Sequence, residues 1–80
     1  MTTAEATVSV TVDARGLSCP MPIVRTAQAV RSLPSGALIE VLATDPGSQK
    51  DFAAWSRSTG NGLVAESVEG PVYRFVIRRK

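Results

Sequence analysis

The positions of the apolar residues predict six secondary-structure elements, in the order strand, helix, strand, helix, strand, strand. Residues 7–13 alternate between apolar and polar side chains, which is typical of a strand with one buried face, and the apolar side carries Val8, Val10 and Val12. Residues 20–33 place apolar side chains at spacings of three and four, which predicts an amphipathic helix. The expected buried stripe of this helix consists of Ile23, Val24, Ala27, Val30 and Leu33.

The middle of the chain predicts a second strand and a second helix. Residues 37–43 are mostly apolar, with Glu40 on what we expect to be the exposed side of the strand. Asp45 is a suitable N-cap and Pro46 fits the first helical position, so the second helix is predicted to begin there. Phe52 and Trp55, three residues apart, are expected to face its buried side.

Glycines and a proline separate the elements of the last third of the chain. Gly60-Asn61-Gly62 predicts the end of the second helix. Residues 63–68 and 72–78 then predict two strands that form a hairpin around Glu69-Gly70-Pro71. Alternate residues of the last strand are expected to face the helices, namely Tyr73, Phe75 and Ile77.

This order of elements predicts an α/β two-layer sandwich, β-α-β-α-β-β. A four-stranded mixed sheet would carry two helices packed on one face. Each strand–helix–strand unit predicts a parallel pair of neighbouring strands, and the closing hairpin adds an antiparallel pair. We expect residues 7–80 to form a single domain and residues 1–6 to form a disordered tail.

Composition and charge narrow the class of protein. The chain has 80 residues, 44% hydrophobic and 20% charged, which is typical of one soluble globular domain. A net charge of +2 is too small to indicate nucleic-acid binding by itself. Because neither a secretory signal nor an apolar run of about 18 residues is visible, we expect a cytoplasmic protein that does not span a membrane.

The count of histidines and cysteines excludes several kinds of site. The chain has no histidine and one cysteine, Cys19, so it cannot form a Cys–His dyad, a Cys-x-x-Cys redox pair or an internal disulfide. The usual zinc ligand sets are excluded as well. No glycine-rich phosphate loop or dinucleotide motif is present, so no cofactor or metal is expected.

Cys19 stands where the first helix is predicted to begin. Pro20 and Pro22 are tolerated in the first turn of a helix, which places Cys19 at or next to the N-cap. Up to four free backbone N–H groups and the helix dipole at that end favour an anion. We therefore expect a lowered pKa for Cys19 and a reactive, exposed thiolate, since the thiolate is the nucleophile. A lone cysteine is otherwise more often a small buried residue.

The segment from Val12 to Pro22, with its Gly16 and Cys19-Pro20-Met21-Pro22, resembles the signature of the TusA-like (SirA-like) sulfurtransferases. The similarity extends to Asp45-Pro46 and to residues 73–78, and covers nearly the whole chain. The resemblance implies a sulfur carrier in which Cys19 accepts a sulfane sulfur as a persulfide and passes it on. It also implies a donor, such as a cysteine desulfurase or a rhodanese-like protein, and an acceptor such as a DsrE-like sulfurtransferase. The family serves tRNA thiolation, cofactor biosynthesis and sulfur oxidation, among which the sequence does not choose.

Other residues are candidates for shaping the site or binding a partner. Gly16, Pro20 and Pro22 would set the direction of the sulfur, although each also has a plain role in a turn or helix start. Asp13 can simply end the first strand, and Arg15 can either hold an anionic sulfur or be solvated. Lys50 and Arg57 lie seven residues apart on the second helix and can form a docking patch for a partner.

A second hypothesis treats the protein as a binding module. A small domain with helices on a sheet can act as a regulatory, RNA-binding or protein-binding module in which Cys19 is incidental. Arg74, Arg78, Arg79 and Lys80 would then supply the contacts. Direct nucleic-acid binding is the less expected of the two roles, and nothing in the sequence requires a state other than a monomer.

Overall fold

The computed structural model describes residues 8–80 and has the predicted order of elements. The elements are β1 (Val10–Ala14), α1 (Met21–Arg31), β2 (Leu38–Ala43), α2 (Ser48–Thr59), β3 (Gly62–Glu69) and β4 (Val72–Arg78). They form a four-stranded mixed sheet with two helices, which confirms the predicted α/β sandwich. The predicted tail, residues 1–6, and the first residue of the predicted first strand lie outside the described residues.

The strand order is β1-β2-β4-β3, and it corrects one expectation about neighbours. β1 and β2 are adjacent and parallel, as the first strand–helix–strand unit predicts. β2 and β3 are not adjacent, because β4 lies between them and is antiparallel to both. The hairpin therefore folds its second strand into the sheet interior, and leaves β1 and β3 at the two edges.

The core lies between the helices and one face of β2 and β4. The β2 residues Ile39 and Val41 and the β4 residues Phe75 and Ile77 are fully buried, as the alternation in the sequence predicts for β4. Phe52 of α2 stacks on Phe75, with ring centroids 4.7 Å apart. Trp55 packs edge-on against Phe52 at 6.2 Å. These contacts fix α2 on the sheet.

The buried side of α1 differs from the predicted stripe. Val30 is buried and Ile23 packs against the core, but Val24 is 37% exposed. Thr26 of α1 is instead fully buried, although a polar residue is not expected on the buried side of a helix. Its hydroxyl donates to the Pro22 carbonyl oxygen at 2.9 Å, so the buried polar group is satisfied within its own helix.

The opposite face of the sheet carries polar contacts between strands. Glu40 of β2 accepts hydrogen bonds from the Thr11 hydroxyl at 2.9 Å and from the Arg74 guanidinium. Both hydrogen bonds lower the pKa of Glu40, and the bond from Arg74 has the larger effect. Glu40 thus lies on the face away from the core, as expected, and joins β1 to β4 across β2.

The ends of α2 are set by two glycines. The helix begins at Ser48 with Gly47 as N-cap, so the predicted N-cap at Asp45 and helical Pro46 are wrong by two residues. Asp45 still acts locally, because its Oδ2 accepts the Gly47 backbone N–H at 3.1 Å. Gly60 ends the helix in the left-handed conformation (φ 83°), as predicted.

The edge strand β3 is irregular near its start. Its register with β4 shifts between Leu63 and Ala65, which leaves Val64 as an extra residue in a bulge. Leu63 packs against the core, whereas the rest of the strand is exposed.

Candidate functional site

Two loops meet at the edge of the sheet where β1 and β2 end. Because β1 and β2 are parallel neighbours, the loop from β1 to α1 and the loop from β2 to α2 leave from the same edge. The Gly16 backbone N–H donates to the Thr44 hydroxyl at 2.9 Å and ties the two loops together. Gly16 has φ 82°, a left-handed conformation that glycine adopts most readily. These features carry the chain from β1 to Cys19.

Cys19 is exposed and comes directly before the N-cap of α1, which is Pro20. The Cys19–Pro20 peptide bond is cis. Pro22 is at the second helical position and is buried, so it holds the first turn of α1 against the body of the protein. The expectation of an exposed thiol at the start of this helix is confirmed.

The start of α1 offers fewer free N–H donors than the sequence argument assumed. Pro20 and Pro22 have no N–H, and the Met21 N–H donates to the Ser18 carbonyl oxygen at 2.9 Å. Among residues 20–23, only Ile23 therefore has a backbone N–H that is present and not used in this turn. The predicted anion site of four backbone amides is therefore not present.

The charges beside Cys19 are negative. Hydrogen bonding of the thiol to the Asp51 carboxylate raises the pKa of Cys19, and partial desolvation and the charges of Asp51 and Asp45 raise it further. The expected lowering of the pKa is thus wrong, because two carboxylates oppose ionisation where free amides were expected to favour it.

The two carboxylates converge over Gly47. A Cβ added at Gly47 would lie 3.1 Å from Asp45 Oδ2 and 3.6 Å from Asp51 Oδ2. Gly47 has no side chain, so it leaves room for both carboxylates at the start of α2. Asp51 belongs to the first turn of α2, so its carboxylate also lies at the favourable, N-terminal end of that helix.

Ser48, the first residue of α2, is 1% exposed. Its hydroxyl has no hydrogen-bond partner among the described residues. Asp51 is three residues further along the helix, the spacing at which residues share one side of a helical turn. The orphan hydroxyl therefore belongs to the same end of α2 as the two acids.

Asp13 and Arg15 bind each other. The Arg15 Nε donates to Asp13 Oδ1 at 2.8 Å and its Nη2 donates to Oδ2 at 2.9 Å, a bidentate pair. The hydrogen bonds from Arg15 lower the pKa of Asp13 to about 2. The pair thus lies where β1 ends and the loop to Cys19 begins, with the Arg15 guanidinium bound by Asp13.

The predicted docking residues lie at different ends of α2. Lys50 is in the first turn, beside Asp51, and Arg57 is in the last turn. Both are exposed. Lys50 therefore lies at the Cys19 end of the helix, whereas Arg57 lies at the end away from it.

Two further kinds of site are absent from residues 8–80. No three acidic, histidine or cysteine side chains come together there as the ligands of a metal ion would. Neither α1 nor α2 is long and apolar enough to cross a bilayer.

The arrangement presents one exposed thiol with a carboxylate beside it. A thiol in this setting can react with a sulfur electrophile that approaches from solvent, once its proton has been removed. Sequence reasoning singled out Cys19 but missed Asp51 and Ser48. The topology could have pointed to these two residues, because two parallel strands that end at one edge bring the starts of both helices together.

Comparisons with known proteins match nearly the whole chain. Residues 10–79 match the family described as Sulfurtransferase TusA. The sulfur carrier protein TusA of Allochromatium vinosum is 45% identical over 67 residues, which cover 84% of this chain and 88% of that protein. YrkI of Bacillus subtilis is 49% identical over 67 residues, covering 84% and 89%. The SirA-like protein of Desulfitobacterium hafniense superposes with a TM-score of 0.76 at 24% identity, covering 86% of this chain and 95% of that one, and has the same fold.

Proposed function

This chain belongs to the TusA family of sulfur carriers, and on that premise we propose that Cys19 accepts a sulfane sulfur as a persulfide and delivers it to an acceptor protein. The observation that carries the proposal is the position of Cys19: it is exposed, and it lies at the loop edge that two parallel strands form. A sulfur atom there is open to another protein.

The chemistry needs a thiol and access, and no metal. The Cys19 sulfur attacks the outer sulfur of a donor persulfide, the donor S–S bond breaks, and the donor thiol leaves with the proton. Cys19 then bears the extra sulfur. In delivery, an acceptor thiol attacks that outer sulfur, and Cys19 returns to its starting state. No net oxidant is consumed in either step.

The proposed partners follow from this exchange. A cysteine desulfurase or a rhodanese-like protein would supply the sulfur, and a DsrE-like or similar sulfurtransferase would take it. We place this relay in the cytoplasm, in tRNA thiolation, cofactor biosynthesis or sulfur oxidation. Gly16, Pro20 and Pro22 would orient the loaded sulfur, and Lys50 would contact a partner that approaches Cys19.

Intact mass spectrometry tests the proposal. The purified protein is incubated with a cysteine desulfurase and cysteine and, separately, with a persulfide-loaded rhodanese. Its mass is recorded before and after treatment with a thiol reductant. We expect a gain of one sulfur atom that the reductant reverses, and no gain in Cys19→Ser. A wild-type protein that stays unmodified with both a desulfurase and a rhodanese, or a gain that persists in Cys19→Ser, would refute the carrier role.

A further inference from the structure

Three cations line a cleft between the C-terminal halves of α1 and α2. The cleft has a volume of about 490 Å³, within the range of pockets that hold small ligands. Its cations are Arg31 at the end of α1, and Arg79 and Lys80 after β4. We propose that the cleft binds a small organic anion, in which an apolar or aromatic body carries a carboxylate or a phosphate. This binding does not depend on the proposed carrier function, because the cleft lies at the helix ends away from Cys19.

The positive charge of the cleft is not balanced by acidic side chains. Among residues 8–80, no Asp or Glu lines the cleft, and the ion pairs, all formed elsewhere, are Arg15–Asp13 and Arg74–Glu40. The C-terminal ends of the two helices carry about half a negative charge each. Because three full positive charges lie near these two partial charges, positive charge remains in excess. The cleft therefore favours an anion.

Arg79 is held in place with part of its guanidinium free. Its Nε donates to the Val30 carbonyl oxygen at 2.7 Å, and its Nη1 donates to the Lys80 carbonyl oxygen at 3.4 Å. Its Nη2 has no acceptor among the described residues. The Arg79 backbone N–H donates to the Ala37 carbonyl oxygen at 2.8 Å, and the next N–H donates to the Asn61 side-chain oxygen at 2.8 Å. A guanidinium that is already positioned loses little freedom when it binds an anion.

The lining of the cleft also includes apolar and aromatic side chains. They are Ala27, Val30 and Trp55, and Trp55 is only partly buried. The Trp55 ring packs edge-on against Phe52 with ring centroids 6.2 Å apart, so the core fixes its place beside the cleft. A planar or aliphatic body can lie against these side chains while its anionic group meets the cations. A bare inorganic anion would leave them in contact with water, so an organic anion fits the cleft better.

NMR of the tryptophan side chain tests the proposal. Trp55 is the only tryptophan in the chain, so its indole N–H gives a single reporter signal inside the cleft. The isotope-labelled protein is titrated with benzoate and with phenyl phosphate, which distinguish a carboxylate ligand from a phosphate ligand. Benzyl alcohol supplies the aromatic body without the charge, and inorganic phosphate supplies the charge without the body.

Two double variants locate the binding. Arg31→Gln/Lys80→Gln removes two exposed cations of the cleft. Arg25→Gln/Arg57→Gln is the matched control, because it removes two exposed cations of the helices that do not line the cleft. The two variants change the net charge by the same amount, so a general effect of charge would weaken binding equally in both. Circular dichroism of each variant establishes that the fold is unchanged.

We expect benzoate, phenyl phosphate or both to shift the Trp55 indole signal to saturation in wild type and in the control variant. The cleft variant should bind about tenfold more weakly, because it loses two charged contacts. The proposal is overturned if neither organic anion shifts the signal, or if benzyl alcohol or inorganic phosphate binds as tightly. It is also overturned if the cleft variant binds no more weakly than the control. These outcomes are the same whether or not Cys19 gains sulfur from a desulfurase, so the carrier function is tested separately.

Discussion

The Gly16 backbone N–H and the Thr44 hydroxyl lie 2.9 Å apart and join the loop before Cys19 to the loop before α2. This single hydrogen bond links the segment that holds the thiol to the segment that holds Asp45 and leads to Asp51. The position of Cys19 relative to the two acids therefore depends on a contact between residues that are 28 apart in the chain.

Thr44→Val should loosen this link. The substitution keeps the shape of the side chain but removes the acceptor for Gly16, and we expect the free energy of unfolding to fall by about 1 kcal/mol. Urea unfolding measures the loss, and iodoacetamide alkylation should show a changed Cys19 rate. Thr11→Val is the matched control, since its hydroxyl bonds to Glu40 on the far face of the sheet. A Cys19 rate that responds equally to both variants would contradict the link.

Gly16→Ala should destabilise the protein through its backbone. A residue with a Cβ at φ 82° is strained, and the expected loss is about 1–2 kcal/mol in urea unfolding. An added Cβ there would meet nothing within 4 Å, so packing does not contribute to the loss. Gly62→Ala serves as control, because that position has equal space and no positive φ. Equal losses at both positions would refute the strain argument.

Two serines of α2 should respond in opposite ways to alanine. Ser48→Ala removes a buried hydroxyl that has no partner among the described residues, so stability should stay the same or rise by about 1 kcal/mol. Ser56→Ala removes a hydroxyl that donates to the Asn61 carbonyl oxygen at 2.6 Å and accepts from the Leu63 N–H at 3.1 Å. Its loss should cost about 1–3 kcal/mol. Thermal and urea unfolding compare the two, and a large loss in Ser48→Ala would show that its hydroxyl is bonded.

The raised pKa of Cys19 should appear in the full alkylation profile. Above the neutral range, the rate should rise through a midpoint higher than the value of about 8.5 for an ordinary cysteine. Added salt should lower this midpoint, because it screens the charges of Asp45 and Asp51. The urea-unfolded protein is the control and should show the ordinary midpoint. A folded-state midpoint at or below 8.5 would restore the helix-dipole argument.

Asp13 should titrate far below an ordinary aspartate. Its pKa of about 2 is set by Arg15, so Arg15→Gln should return it toward 3.8 in an NMR titration of the carboxyl carbon. A carboxyl with a depressed folded-state pKa adds stability above its unfolded pKa and loses it as pH falls toward 2. The pair is exposed, so the effect on unfolding should be small. An unchanged Asp13 pKa in Arg15→Gln would refute the pairing.

Much of the fold follows from periodicity. The alternation of Tyr73, Phe75 and Ile77 predicts their common face, and the glycine at position 60 predicts the end of α2. The place of β4 between β2 and β3 does not follow, because local patterns do not determine which strand enters the interior of a sheet. The burial of Thr26 also cannot be predicted from the sequence, because the hydrogen bond that satisfies its hydroxyl forms only within the folded helix.

The exposure of Cys19 at a helix start could be predicted from the sequence, and the charges around it could not. The two prolines mark Cys19 at a helix start, and its exposure agrees with that position. The same prolines remove the N–H donors on which the dipole argument relied. Asp51 lies 32 residues further along the chain, and only the parallel pairing of β1 and β2 brings it to the thiol. A local reading of the Cys19 segment therefore predicts the wrong direction for its pKa.

The bulge in β3 has a consequence for how this molecule meets others. β3 forms the outer border of the sheet, and a second chain that tried to extend the sheet would meet a kinked strand bearing Glu66 and Glu69. Such a border discourages strand addition. The bulge that interrupts the pairing of β3 with β4 therefore also protects this edge against pairing with another chain.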